Sequence, residues 1–314
     1  MFPMNAFLTK DIGPDPYAGV RASLRMDDLP LKQDVTPKLS LIVSVFHRYS
    51  QLQRTLETLC RQTFKDFDVL IFDNDDDQNL PEVVAQFDPY LHITYYKKQY
   101  GQRHFDPSLG IKTMLPHARG QVIAIAQPEC MLREDATYWL YYGHFLDLET
   151  LARDCTLDKM SKNPNLNGRR CVTFKTMFSS PRMQPLLDDY NWHDGLQELE
   201  NIPNYWDEGC GLSYASNRVW LAYKIASWWF VQSYLANDPI LENMPVMFGH
   251  ASIDMYMISY RRIFDYLDIM PLKPLSFHQD HHRMSFAPEG EVSQMSDQFI
   301  LDSFKEFHNG NDPR

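Results

Sequence analysis

Residues 40–77 read SLIVSVFHRYSQLQRTLETLCRQTFKDFDVLIFDNDDD, and their apolar periodicity changes twice. Leu39–Phe46 (LSLIVSVF) is a short apolar run rich in β-branched residues, which predicts a first strand. Ser50 can cap a helix whose Leu52, Leu56 and Leu59 fall at helical spacing. Phe67–Phe72 (FDVLIF) predicts a second strand, running into the acidic cluster DNDDD at 73–77. Outward from there, Pro81–Gln86 reads as helix, His92–Tyr96 (HITYY) as a third strand and 107–118 as helix. Val122–Ala126 (VIAIA) reads as a fourth strand, and Pro128, which has no N–H for a ladder, should stop it. Strands alternating with helices predict an α/β protein with a mostly parallel sheet and helices on both faces. Ligands of such sheets bind at the carboxyl ends of the strands.

Composition narrows the function classes. A chain of 314 residues with 44% apolar content can bury a large core. Forty-one acidic against thirty basic side chains give a net charge of -11, which argues against bulk nucleic-acid binding. An anionic small ligand held by a few local cations remains compatible. The cysteines at 60, 130, 155, 171 and 210 show no short paired spacing, so neither a disulfide framework nor a zinc knuckle is expected. That pattern suits a reducing, cytoplasmic setting. Residues 1–19 show no basic region leading into a long apolar stretch, so no secretory signal is expected. VWLAYKIASWWFVQSYL (219–235) carries Lys224 and Gln232 and falls short of a clean span, so membrane association is at most peripheral.

The strand ends gather the polar residues: Phe46-His47-Arg48, then Asp73, then Gln127-Pro128-Glu129. Singly, an Asp after a strand reads as a turn or cap, and Asp75–Asp77 as a solvated loop. Their order, however, resembles the opening of family-2-like glycosyltransferases with the GT-A fold. That family reads as an aliphatic strand, P-T-Y-N-R, a helix L-x-x-T-L-x-S-L, then Q-T-F-x-D-F-E, a second strand and D-D-x-S-x-D. Arg48, Thr55, Leu56, Leu59, Gln62, Thr63, Phe64, Asp66, Phe67 and Asp73 fall in register. ARGQVIAIAQPEC (118–130) resembles the later A-x-G-x-x-I-x-x-L-D-x-D, so the likeness covers residues 39–135.

The resemblance implies a nucleotide-sugar donor and a hydroxyl acceptor, such as a glycan or polysaccharide, with UDP-sugars favoured and inversion at the transferred carbon. It places the nucleotide-sugar donor at Phe46, His47, Arg48, Asp73, Asp75 and Gln127, with the nucleoside at Asp73 and the backbone around Phe46, and with Arg48 as a candidate phosphate partner. It places a divalent cation, Mn²⁺ or Mg²⁺, at the acid ending strand four, here Glu129. The sequence departs from the pattern twice: His47 stands where Asn is usual, and Gln127 replaces the first acid of the metal motif. Mg²⁺ sites often use only one or two protein carboxylates plus phosphate oxygens. Lys112 and Arg119 are further candidate phosphate partners. The competing reading is a catalytically silent carbohydrate- or nucleotide-binding protein with a degenerate metal motif.

The second half adds three features. GHASID (249–254) opens a helix whose Ile253, Met257, Tyr260, Phe264 and Leu267 share one face. Asp254 in its first turn reads either as a carboxylate on the helix dipole or, by the resemblance, as the general base. FHQDHHR (277–283) packs three histidines and an aspartate together, which reads as a polar loop or as metal or phosphate chemistry, and by the resemblance His278 or His281 would complete the cation's shell. YWLYYGHF (138–145), WHDG (192–195) and NYWDEGCG (204–211) are aromatic and polar, as a sugar cleft requires. Helical packing explains the first, and the cleft reading rests on Trp206 and Asp207. The expected organisation is an arm (1–37), a donor half (38–136), an acceptor-side half of the same domain (137–290) and a tail (291–314).

Overall fold

Along β1 (Leu39–Val45), Leu39, Leu41, Val43 and Val45 enter one apolar cluster, while Ile42 enters another on the opposite face. A strand buried on both faces belongs in the middle of a helix-covered sheet. The computed structural model describes residues 26, 29–46, 48–74, 80–98, 107–159, 169–178, 212–215, 220–226, 230–244, 250–273 and 275–279. His47, Asp75, Trp206, Asp207 and His281, together with the segments 192–195 and 204–211, lie outside the described residues.

After β1 the chain forms α1 (Tyr49–Cys60), β2 (Phe67–Asp73), α2 (Leu80–Phe87), β3 (Ile93–Lys97), α3 (Pro107–Met114), β4 (Val122–Ala126) and β5 (Cys130–Leu132). Next come α4 (Ala136–Tyr142), α5 (Leu148–Asp154), β6 (Cys155–Lys159), β7 (Arg170–Thr173), β8 (Thr176–Phe178), β9 (Leu212–Ala215) and β10 (Trp220–Ala226). The described elements end with β11 (Val231–Leu235), α6 (Pro239–Glu242), α7 (His250–Ile263), β12 (Leu267–Pro271) and β13 (Ser276–His278).

The main sheet has the order β3-β2-β1-β4-β11-β7-β12-β6. Its strands share one direction except β11 and β6, which run against their neighbours. The expected mostly parallel α/β sheet, of the GT-A type, is therefore borne out. β2 and β3 lie on one side of β1 and β4 on the other. The winding reverses between β1 and β4, and in open α/β sheets that reversal opens the ligand crevice at the strands' carboxyl ends. Leu52, Leu56 and Leu59 of α1 and Leu80, Val83 and Phe87 of α2 pack in the cluster on one face. Ile111 and Met114 of α3 and Ile253, Met257 and Tyr260 of α7 fill the other.

A second sheet, β5-β13-β8-β10-β9, begins directly after β4. Its β5 pairs antiparallel with β13, setting His278 opposite Cys130. The motif residues between α1 and β2 hold this junction. The buried Gln62 side chain donates to Thr58 O (3.0 Å) and Arg133 O (2.7 Å) and accepts from Thr137 N (2.9 Å). The Thr63 N–H donates to Glu134 O at 2.7 Å, and Phe64 stacks on Tyr141. This part of the family-like pattern is structural.

Four expectations shift. Ser50 lies inside α1, whose N-cap is Arg48, and its hydroxyl turns to Gln51 Oε1. The helix expected over 107–118 ends at Met114, and a 3₁₀ turn, Leu115–His117, follows because Pro116 supplies no N–H. The helix carrying Asp254 stops at Ile263: Asp265 takes φ 56°, the Tyr266 N–H closes on Arg261 O, and Leu267 opens β12. The described end of the arm is tied down, with Leu29 in the core and the Lys32 N–H donating to Pro89 O. The apolar stretch 219–235 supplies β10 and β11, and among the described residues no helix is long and apolar enough to cross a membrane.

Gly120 sits where the chain enters β4. A Cβ there would lie 2.5 Å from Ser40 N and 2.6 Å from Leu39 C, so only glycine permits the approach. Ser40 Oγ accepts from the N–H groups of both Arg119 and Gly120.

Candidate functional site

Pro128 ends β4 and the chain turns at 127–129 before entering β5. The turn is fixed on three sides. Thr55 Oγ1, fully buried on α1, donates to Pro128 O at 2.7 Å. The Gln127 N–H donates to Phe230 O at 3.1 Å, just ahead of β11. The Gln279 N–H donates to Glu129 O at 2.9 Å. Glu129 is thereby presented, nearly buried, beside the crevice between β1 and β4.

Pairing of β5 with β13 carries His278 to the same place. His278 Nε2 lies 3.5 Å from Glu129 Oε1, and the imidazole is braced edge-on by Phe230 at 5.1 Å between centroids. Residues 149 positions apart in sequence thus form an adjacent carboxylate and imidazole. The carboxylate is an ordinary ligand of Mg²⁺ and Mn²⁺ and the imidazole of transition-metal ions, and they stand close enough to share one ion. Among the described residues no group of three His, Cys, Asp or Glu side chains converges, so the protein donors described are these two. Cys130, adjacent to Glu129, is fully buried, and burial, then the Glu129 charge, push its thiol well above the ordinary range.

Asp73 ends β2, next to the β1 exit, and is fully buried. Tyr95 on β3 donates its hydroxyl to Asp73 Oδ2 at 2.7 Å, and the Lys98 N–H donates to Asp73 O at 2.9 Å. Burial, and then the Asp73 carboxylate, raise the Tyr95 hydroxyl above its usual range, so it remains a donor. Phe46 follows β1 half-buried, and Arg48, buried, caps α1. The strand ends of β1, β2 and β4 therefore collect Phe46, Arg48, Asp73, Gln127 and Glu129 at one edge of the sheet.

Arg119 is not among them, which corrects its expected role as a phosphate partner. It precedes β4 beside Ser40 and binds Asp68, at the start of β2, at 3.1 Å. That is the amino edge of the sheet, a strand length of about 17 Å from Glu129 at about 3.3 Å per residue. Lys112 lies half-buried in the last turn of α3. Asp254 lies within α7 as its fifth residue, one turn later than expected, because the helix already begins at His250. Two side chains had no warning in the sequence: Tyr95, which read only as a strand aromatic, and Gln279, hidden inside a histidine-rich run that drew attention to its neighbours.

Comparison with known proteins bears on the donor-half segment and the fold. Residues 40–127 match the family described as glycosyl transferase family 2. Chondroitin synthase of Escherichia coli is 37% identical over 87 residues, which is 27% of this chain and 12% of that protein. TarS of S. aureus (residues 1–349), solved with UDP-GlcNAc, superposes with a TM-score of 0.51 at 10% identity, covering 88% of this chain and 68% of that one. The mannosyltransferase PcManGT of Pyrobaculum calidifontis, solved with GDP-Man and Mn²⁺, gives 0.45 at 13% identity over 84% of this chain and 61% of that one. The matched segment ends at Gln127, the exit of β4, so it covers the strands and helices that build the crevice. This chain therefore carries a family-2-like glycosyltransferase segment on a GT-A fold.

Proposed function

We propose that the protein is an inverting glycosyltransferase moving a sugar from a nucleotide diphosphate donor, a UDP-sugar in the first instance, to a hydroxyl of a glycan or polysaccharide. The observation that carries this reading is the pairing of Glu129 with His278 at the exit of β4, beside the strand ends bearing Phe46, Arg48 and Asp73. Asp73, oriented by Tyr95, accepts from the nucleoside. Phe46, His47, Arg48, Asp75 and Gln127 complete the donor's surroundings. Glu129 and His278, with His281, would hold a divalent cation, whose charge would stabilise the diphosphate as a leaving group.

Asp254 takes the proton of the acceptor hydroxyl as its oxygen bonds to the anomeric carbon. The bond from that carbon to the phosphate oxygen breaks, and its electron pair leaves with the nucleoside diphosphate. Attack from the face opposite the leaving group inverts the centre. Trp206 and Asp207 are assigned to the acceptor sugar. A cytoplasmic setting accords with the free, buried cysteines at 60, 130, 155 and 171.

The test is release of nucleoside diphosphate from a panel of nucleotide sugars with Mn²⁺. Turnover that disappears in both Glu129→Ala and Asp254→Asn supports the enzyme. Donor binding without turnover, indifferent to Mn²⁺ and to chelator, would establish the silent binding protein instead.

A further inference from the structure

Gln279 follows β13 and is completely buried. Its carboxamide nitrogen donates to Gln51 O on α1 at 2.9 Å and lies 3.3 Å from Glu129 O and 3.4 Å from Thr55 Oγ1. Thr55 Oγ1 spends its own proton on Pro128 O, so it can only accept from Gln279. Three acceptors around one nitrogen fix the orientation of the amide, because the flipped form would set oxygen against oxygen. The carboxamide oxygen, by contrast, has no partner among the described residues.

This is an expensive way to fill space. A buried carbonyl oxygen without a partner costs free energy that an apolar side chain of equal size avoids. Nor do the two backbone carbonyls depend on the amide. Glu129 O already receives the Gln279 backbone N–H at 2.9 Å, and Gln51 O lies in the ladder of α1. What the side chain adds is geometry: one amide joins α1, the 127–129 turn and the end of β13. Those last two segments carry Glu129 and His278.

We propose that Gln279 is a positioning residue for the divalent-cation site, setting the Glu129 carboxylate and the His278 imidazole at the separation a shared ion needs. The proposal rests on the reading of Glu129 and His278 as cation ligands. Groups that orient ligands in this way typically affect metal affinity about 10- to 100-fold.

The experiment measures UDP affinity by calorimetry, with Mn²⁺ and with EDTA, alongside the thermal midpoint. Gln279→Met keeps the side chain's volume and removes its donors, and Thr55→Val removes the opposite half of the same network. In the native protein Mn²⁺ should strengthen UDP binding. In each variant that strengthening should fall about tenfold or more with UDP affinity in EDTA unchanged. The midpoint should stay close to native in Gln279→Met and fall in Thr55→Val, which leaves Pro128 O without that donor. If native UDP binding ignores Mn²⁺, the cation reading itself fails. If both variants keep the full Mn²⁺ effect, or lose UDP affinity equally in EDTA, Gln279 has only a structural role and the proposal is overturned.

Discussion

His144, at the end of α4, is buried against β11, with Nε2 3.0 Å from Ser233 Oγ. Ser233 Oγ donates to Leu140 O at 2.8 Å, so the imidazole must donate through Nε2, leaving Nδ1 without a partner among the described residues. Burial, and then the nearby Arg170 guanidinium, bring the His144 pKa down to about 3. An unfolded histidine titrates near 6.5. Between these values the unfolded chain binds the proton and the native one does not, so stability is lost as pH falls through that window. From pH 7 to pH 5 the loss from this one group is about 2 kcal/mol. His144→Gln preserves a donor near Nε2 and removes the titration. Urea unfolding of both proteins at pH 7 and pH 5 gives the two differences, and the native protein should lose about 2 kcal/mol more than the variant. Equal losses in the two proteins would refute the buried neutral imidazole and with it the packing of α4 on β11.

Gly120→Ala should lower stability by about 1–3 kcal/mol in urea unfolding, because the clash is with Leu39 and Ser40 backbone that cannot move aside. UDP affinity of the folded fraction should hold, since Gly120 is at the far edge of the sheet from Glu129. Gln127→Asp restores a second carboxylate at the exit of β4, and should tighten Mn²⁺-dependent UDP binding while leaving binding in EDTA unchanged. A calorimetric titration showing no gain would place the 127 side chain away from the ion. Tyr95→Phe releases Asp73 Oδ2, and should weaken UDP severalfold both with Mn²⁺ and with EDTA, unlike substitutions at Gln279. Unchanged UDP affinity would remove Asp73 from the nucleoside site.

Much of the donor half was legible because its signals are local. Strand runs such as VIAIA, the leucines of α1 and the stop at Pro128 each depend on a few neighbouring residues, and each element appeared near its expected bounds. Boundaries failed where a helix end is set by backbone geometry that composition hides. Asp265 at positive φ, not a glycine or proline, ended α7 and turned Leu267 from a helix-face residue into the start of β12. The role of Arg119 also failed, since sequence order places it near strand four without saying at which end its side chain is used. The Asp68 pairing decided that.

By itself the sequence determined the alternation of strands and helices, the order of the strand-end residues and the family-like segment, because periodicity and motif spacing are properties of short stretches. It also offered Glu129 with His278 or His281 as ligands of one cation. Only the tertiary structure decided that Glu129 and His278 meet. The antiparallel register of β5 with β13 brings residues 129 and 278 together, and that register is set by packing across two sheets rather than by anything written near either residue. The same folding gave Gln279, unremarkable in sequence, a buried place between α1 and the turn that carries Glu129.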